Sequence, residues 1–328
     1  MPENSFTRKA SLIAWISAAT LVLTSCAELP IAAPITPVDY RGCVLSQSDT
    51  DDRTLTELSE YSMNQAAVTY GIQRTDLSIE STKLASGVKK MVKAGCDLIV
   101  VSGIAFKNGL TDLASKNRAT NFVYVSEKAE SEISSANLDN LISYGVDLYE
   151  VGVIAGFLAA DLSAKHYVSM ACSSGISETI LSGAKYGSFR FDTETGTATR
   201  VVARTGAMIT PESDLPDVEI IAGCQAAAVP NDAVSAYVGY GRDHYLLPRY
   251  SAIKEKLAAT VVPQIGAKLL EVVASDLEND FIGGSFGSVT ATYGNGLLAL
   301  SAEHEIPLSA NTLTKLQTVI ADYEAGLK

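Results

Sequence analysis

Polar and glycine residues that follow short apolar runs are the residues in this sequence best suited to chemistry. The first such stretch is Ser46–Asp52, which follows the apolar Cys43–Leu45 and contains no hydrophobic residue. Thr54-Leu55-Thr56-Glu57 comes next and matches the S/T-x-x-E capping box that marks the start of a helix. A strand, a polar loop and a helix start in this order bring loop N–H groups and the positive helix end together. The chemistry that this arrangement supports is ligand binding.

Motifs for catalysis or metal binding are missing from the sequence. Asp49-x-Asp51 begins like an EF-hand loop, but Thr54 stands where that loop needs a glycine. The histidines have no ligand-spaced neighbours; they are His166, His244 and His304. No GxSxG, HExxH, Walker or GxGxxG stretch occurs. We therefore predict a protein that is not an enzyme and that holds no metal and no cofactor.

Length and charge restrict the class of protein further. The chain has 328 residues, of which 47% are hydrophobic and 19% charged, so it is long enough for two packed domains. Its formal net charge is −12, which repels the phosphate backbone of nucleic acids. We expect no nucleic acid among its partners.

The first residues resemble a bacterial lipoprotein signal. Arg8-Lys9 precede the apolar run Ala10–Leu23, which is too short to span a bilayer comfortably. The run ends in Leu23-Thr24-Ser25-Cys26, a lipobox, so we predict lipidation at Cys26 and an extracytoplasmic domain anchored to the cell membrane. The alternative is an ordinary signal peptide that is cleaved near Ala27 and leaves Cys26 inert.

The remaining cysteines do not form a CxxC motif. Each lies in or beside an apolar strand-like run; they are Cys43, Cys96, Cys172 and Cys224. We expect them to be buried as small hydrophobic residues, and a disulfide stays open as the alternative outside the cytoplasm.

From Arg41 onward, apolar runs alternate with helical patterns. Asp97–Val101 is a continuous apolar run, typical of a strand buried on both faces of a parallel sheet. Leu148–Ser163 is predicted to be a helix, with a stripe of small residues that permits close packing. Later in the chain, Phe286–Tyr293 is predicted to be a strand with Leu297–Leu300 as a short partner, and Pro263 is predicted to open a helix.

This alternation predicts an α/β fold of two doubly wound, Rossmann-like lobes. We expect a signal peptide at 1–25, a tether at 26–40, an N-terminal lobe at 41–145 and a C-terminal lobe at 146–328, with crossovers between the lobes. The second lobe is expected to be abbreviated, since Thr210–Asp217 is too brief for the crossover helix that a parallel pair needs. Several strand ends stop in polar or glycine turns that we expect to face one another across the lobes: Ser46–Asp52, Ser102-Gly103, Ser126, Ser173-Ser174 and Gly241–Asp243.

The chain resembles the basic membrane protein (BMP) family of substrate-binding lipoproteins. The family's DDRSF motif corresponds to Asp51-Asp52-Arg53-Thr54, and the most specific further matches are Gly95–Val100 (GCDLIV) and Ile154–Ala160 (IAGFLAA). The weaker matches, spread over most of Gly42–Leu300, are Gln65–Ala67, Asn121–Val125, Thr205-Gly206, Tyr237–Gly239 and Tyr245–Pro248. The resemblance implies a type I periplasmic-binding-protein-like fold that binds purine nucleosides for an ABC importer.

The family's nucleoside contacts are replaced in this sequence. Leu55 stands at the phenylalanine that stacks on the base, and Thr56 at the asparagine beside it. Aspartates are replaced by Ser46, Ser126 and Gly241, and Pro263 lies near the binding lysine. We consider Phe106, Tyr240 and Tyr245 as substitute rings. Since each lost stack or charged hydrogen bond weakens binding, we expect purine nucleosides to bind weakly or not at all.

Together these observations predict a lipid-anchored receptor that captures a small polar solute, nucleoside-like by default, and passes it to an ABC permease. The alternative is a ligand-poor surface interaction or structural lipoprotein that retains the fold. The predicted ligand-binding residues are Ser46, Asp51, Asp52, Leu55, Thr56, Ser102, Gly103, Phe106, Ser126, Ser173, Gly241 and Asp243.

Overall fold

A computed structural model provides the structure of the protein. It describes residues 38–49, 54–126, 138–171, 176–204, 215–221, 233–241, 247–283, 288–291, 298–300 and 306–326. The predicted lipidation site, Cys26, lies outside these residues.

The first domain is built on a six-stranded sheet. Its strands are β1 (Arg41–Gln47), β2 (Gln73–Ile79), β3 (Leu98–Ser102), β4 (Asn121–Ser126), β5 (Leu141–Val146) and β11 (Ser288–Ala291), in the order β2-β1-β3-β4-β5-β11. The helices between the first four strands are α1 (Thr54–Tyr70), α2 (Leu84–Lys93) and α3 (Lys107–Lys116). The described pairs in this sheet are all parallel, as expected for strands joined by helical crossovers.

The second domain repeats this arrangement in a sheet of its own. Its strands are β6 (Tyr167–Ala171), β7 (Arg200–Arg204), β8 (Val218–Ile221), β9 (Ala236–Tyr240), β10 (Leu257–Pro263) and β12 (Leu298–Leu300), in the order β7-β6-β8-β9-β10-β12. Within the described residues this sheet has six strands, as many as the first. The connection on which the predicted abbreviation rests, 210–217, lies mostly outside the described residues.

The chain passes between the two sheets through helical crossovers. Helix α4 (Leu148–Leu162) leads from β5 to β6, whereas α5 (Ile176–Thr195) follows β6 within the second domain. Helix α6 (Ile265–Leu277) leads from β10 back to β11, and the chain then returns to β12. The last helix, α7 (Ala310–Glu324), is capped by the Ser309 hydroxyl, which accepts a hydrogen bond from the Thr312 N–H at 3.0 Å.

Two local predictions in this region are wrong. Strands β11 and β12 are not partners, because β11 pairs with β5 in the first sheet and β12 pairs antiparallel with β10 in the second. Pro263 does not open a helix; it is the last residue of β10, and α6 begins two positions later at Ile265.

The small-residue stripe of α4 packs against α5 at backbone distance. A Cβ placed on Gly152 would lie 2.1 Å from the Ile180 carbonyl oxygen, and one on Gly156 would lie 2.1 Å from that of Ala184. Helix α5 contributes its own glycine, since a Cβ on Gly183 would lie 2.0 Å from the Tyr149 carbonyl oxygen. Glycine is therefore required on both helices, and the predicted packing role of the stripe is confirmed.

The cysteines of the first domain correct another expectation. Cys43 on β1 and Cys96 just before β3 form a disulfide, although both are buried among apolar side chains as expected. The parallel pairing of β1 with β3 brings the two positions together, with Cα atoms 5.9 Å apart. Cys172 and Cys224 lie outside the described residues.

Candidate functional site

Serine side chains lie at the carboxyl ends of the central strands of the first sheet. Ser46 on β1 is directly opposite Ser102 on β3, and Ser126 ends the neighbouring strand β4. All three are almost completely buried. Because side chains alternate along a strand, Ser46 and Ser102 continue the face of Val44 and Val100, which packs towards α1. Two hydroxyl groups therefore lie side by side at the edge where ligands bind in this type of sheet.

Ser102 has unused hydrogen-bonding capacity. Its side chain is 0% exposed, and its hydroxyl has no hydrogen-bond partner within the described part of the chain. A buried hydroxyl without a partner costs about 1–3 kcal/mol, so a polar ligand group at this position would recover that free energy.

The turn after β3 is held by Gln47, a residue that the sequence analysis did not select. The Gln47 Oε1 atom accepts a hydrogen bond from the Ala105 N–H at 3.4 Å, and the Tyr124 hydroxyl donates to the Gly103 carbonyl at 3.2 Å. Gly103 has a φ of +137°, and a Cβ there would lie 2.7 Å from the Gln47 Cβ. Glycine is needed so that the turn can pass this close to β1. The sequence feature that could have identified Gln47 is its position at the end of β1, one residue beyond Ser46.

The start of α1 lies above this edge and is buried. Thr54, Leu55 and Thr56 are each no more than 5% exposed. Leu55 packs in the main apolar cluster with Leu58, so it offers apolar contact and no aromatic ring. Before the helix, both carboxylate oxygens of Asp49 accept hydrogen bonds from Ser81, and these bonds lower the pKa of the Asp49 carboxyl group.

The carboxyl edge of the second sheet meets the first domain at Gly241. This residue follows β9, has a φ of +121°, and donates its backbone N–H to the Val261 carbonyl at 3.0 Å. A Cβ at Gly241 would lie 2.7 Å from the Thr54 Cγ2 atom of α1. The first turn of α1 and the end of β9 are therefore in direct contact. The structure thus places Gly241 against the first turn of α1, which includes Leu55 and Thr56, while Ser46 and Ser102 lie at the carboxyl ends of β1 and β3.

Other predicted positions are not part of this arrangement. Phe106 is fully buried in a second apolar cluster with Met91 and Leu110, on the α2–α3 side of the first sheet. The structure therefore places Phe106 in the core of the first domain, and its role as a ligand-contacting ring stays a prediction, because an apolar residue just after a strand suits a core and a ligand site equally well. Ser126 alternates with Tyr124 and so continues this same α2–α3 face. The positions outside the described residues are Asp51, Asp52, Ser173, Asp243 and the substitute-ring candidate Tyr245.

The crossover helix α6 is anchored to the first domain by a polar cluster. The Asp276 carboxylate accepts hydrogen bonds from the Tyr40 hydroxyl at 2.5 Å and from the Asn121 side-chain amide at 2.6 Å. Burial raises the pKa of Asp276, and the two hydrogen bonds offset part of that effect. Burial also raises the pKa of Tyr40. At the other end of α6, a Cβ on Gly266 would lie 2.7 Å from the Ser62 Oγ of α1, so the two helices pack closely.

The described residues hold neither a metal-ligand cluster nor a membrane-spanning helix. The described residues contain no group of three or more His, Cys, Asp or Glu side chains that could hold a metal ion. Within the same residues, no helix is both long enough and apolar enough to cross a membrane.

Comparison with known proteins agrees with the resemblance seen in the sequence. Residues 41–200 match the family model described as Bmp, ABC transporter substrate-binding protein PnrA-like. No curated protein matches the sequence closely enough to count as a relative.

Solved structures share the two-domain fold at low sequence identity. A solute-binding protein of an ABC transporter system from Conexibacter woesei has a TM-score of 0.66 at 11% identity, covering 88% of this chain and 97% of that chain. A corresponding protein from Aeropyrum pernix K1 has a TM-score of 0.63 at 17% identity, covering 87% and 86%. A transcriptional activator of the comK gene from Bacillus halodurans has a TM-score of 0.59 at 15% identity, covering 87% and 97%. At these identities the likeness shows the fold alone, which is the type I periplasmic-binding-protein-like fold.

The sequence pattern and the fold point to the same class of protein. The predicted resemblance is confirmed, since residues 41–200 match the Bmp family model of PnrA-like ABC transporter substrate-binding proteins and the fold is that of solved solute-binding proteins.

Proposed function

We propose that this protein is the lipid-anchored, extracytoplasmic receptor of an ABC importer, and that it binds a small polar solute between its two domains. The observation that carries the proposal is the contact of Gly241, at the carboxyl end of β9, with Thr54 at the start of α1, the helix that follows β1 and its buried Ser46. Type I receptors of this shape close around a solute by rotation at the crossovers, and the closed form is recognised by the permease.

Two features support a location outside the cytoplasm. The lipobox Leu23–Cys26 follows a basic and then an apolar segment, as in bacterial lipoproteins. The Cys43–Cys96 disulfide is typical of proteins that fold in an oxidising compartment. The lipid would hold the receptor at the membrane where its permease lies.

The uncharged side chains at the described site positions support a ligand other than a purine nucleoside. Serine hydroxyls occupy positions where the family carries carboxylates, and Leu55 lacks the ring that would stack on a base. At Gly241 the backbone itself approaches Thr54, so a side chain has no room where the family has its ribose-binding aspartate. Losing one stack, worth about 1–3 kcal/mol, together with two charged hydrogen bonds, worth about 1.5–3 kcal/mol each, turns tight binding into negligible binding.

A thermal-shift screen tests this proposal. A library of nucleosides, nucleobases, sugars, polyols and amino acids is applied to the wild-type protein and to a Ser46→Ala/Ser102→Ala variant. We expect a small polar compound to raise the melting temperature of the wild type, and to do so much less for the variant. If no compound in any class raises the melting temperature of the wild-type protein, a ligand-poor structural lipoprotein becomes the better description.

Calorimetry with adenosine, guanosine and inosine tests the ligand class separately. We expect no heat that indicates binding at micromolar protein concentration. A submicromolar dissociation constant for any of the three would show that the nucleoside site has been rebuilt from other residues.

A further inference from the structure

A second cavity lies at the opposite edge of the second sheet, where the strands begin. It has a volume of about 520 Å³ and is formed between the last turns of α5 and the start of β7. The residues that matter for its chemistry are Lys185, Phe189, Asp192, Thr197, Thr199 and Arg200. Since Gly241 follows the carboxyl end of β9, this cavity is separate from the site between the domains.

The single carboxylate of the cavity is already used to hold its wall. Asp192 Oδ1 accepts hydrogen bonds from the Thr197 and Thr199 hydroxyls at 2.6 and 2.8 Å. Asp192 Oδ2 accepts a third hydrogen bond from the Thr199 backbone N–H at 2.6 Å. These bonds fix the loop between α5 and β7, and they direct the carboxylate to that loop.

Two cationic side chains of the cavity have no ion-pair partner in the described part of the chain. Lys185 and Arg200 are both exposed, and neither lies within 4.0 Å of a described carboxylate. The Arg200 guanidinium is held over the Tyr167 ring, 5.1 Å from its centroid. This stacking orients the guanidinium and leaves its N–H groups available. Two cations without a described ion-pair partner therefore line one cavity.

An exposed aromatic ring completes the cavity. Phe189 is 62% exposed, on the solvent-facing side of α5. A ring in this position presents a flat apolar surface beside the cations, and burial of that surface by a ligand is favourable.

We propose that this cavity is a second binding site and that its ligand is an organic anion, with a phosphate or carboxylate group attached to a flat apolar body. The anionic group pairs with Lys185 and Arg200, for which planar bidentate hydrogen bonding to the guanidinium is the strong geometry. The apolar body lies against Phe189. The site does not depend on the solute held between the domains.

Calorimetric titration of the full-length protein with phenyl phosphate tests this proposal, with inorganic phosphate as the comparison probe. We expect phenyl phosphate to bind more tightly than inorganic phosphate. Arg200→Gln and Lys185→Gln should each raise its dissociation constant by about tenfold, which corresponds to one charge-assisted hydrogen bond. Phe189→Ser should remove the preference for phenyl phosphate over inorganic phosphate. Lys89→Gln, at an exposed lysine of α2 in the first domain, should leave both dissociation constants unchanged.

Each variant is checked for folding by its thermal unfolding curve before titration. The proposal is overturned if phenyl phosphate gives no saturable heat, or if its affinity is the same in wild type, Arg200→Gln and Lys185→Gln. Equal binding of the two probes, with no effect of Phe189→Ser, would also overturn it, because the aromatic ring would then have no part in recognition.

Discussion

Replacing Gly241 by alanine perturbs a contact between the carboxyl edge of the second sheet and the start of α1 in the first domain. The new Cβ would lie 2.7 Å from the Thr54 Cγ2 atom, whereas carbon atoms in good contact are about 3.5–4.0 Å apart. The backbone at position 241 also has a φ of +121°, which alanine adopts only with strain. Gly241→Ala should therefore weaken the association of the domains.

The two effects of this substitution are separable in magnitude. Backbone strain costs about 1–3 kcal/mol and is present whether or not the domains are together. Overpacking against Thr54 costs about a further 1–3 kcal/mol and applies only when they are in contact. Gly109→Ala is the matched control, because Gly109 has a φ of +92° and a Cβ there would have no neighbour within 4 Å.

A double-mutant cycle in denaturant unfolding measures the contact. Thr54→Ser removes the clashing methyl group and keeps the hydroxyl. It should therefore restore about 1–3 kcal/mol of the free energy of unfolding that Gly241→Ala loses, and none of the free energy that Gly109→Ala loses. Small-angle scattering should show a larger radius of gyration for Gly241→Ala alone. A coupling between positions 54 and 241 below about 0.5 kcal/mol, the usual limit of additivity, would refute the contact.

Further predictions concern the disulfide, the anchor and the crossover helix. Cys43→Ala/Cys96→Ala should lower the free energy of unfolding by about 4 kcal/mol, since the disulfide closes a loop with a sequence separation of 53. A reductant should destabilise the wild type and leave the variant unchanged; equal loss of stability in both proteins would contradict this. Cys26→Ala should abolish acylation, measured by mass spectrometry, and exported wild-type protein without acyl chains would disprove the anchor. The raised pKa of Asp276 means that its contribution to stability is present below its ordinary value of 3.8 and is lost as the pH rises through the folded value. In denaturation experiments from about pH 3.5 to 7, Asp276→Asn should remove this loss of unfolding free energy with rising pH. If the free energy of unfolding depends on pH in the same way in the variant and the wild type, Asp276 is not the group responsible.

Local sequence patterns predicted the elements that form within short segments. The helix Leu148–Ser163 and its small-residue stripe were predictable, because small residues that recur on one helix face allow another backbone to approach it closely. Gly71 has a positive φ and ends α1, since the αL conformation closes helices at low cost mainly for glycine.

Features that depend on distant segments were not predictable. β11 and β12 are close in sequence, yet each joins a different sheet, and that choice is made by long-range pairing with β5 and β10. The Cys43–Cys96 disulfide depends on the pairing of β1 with β3, which local sequence patterns do not predict. Gly241 was expected to face the strand ends of the other lobe, but no local pattern identifies Thr54 as the residue that it contacts.

Native mass spectrometry of the purified full-length protein tests the central claim most directly. The account predicts a small, polar, non-nucleoside molecule that co-purifies with the wild type and is lost from a Ser46→Ala/Ser102→Ala variant. A purine nucleoside in the wild-type spectrum, or a bound molecule that the variant retains in full, would contradict it.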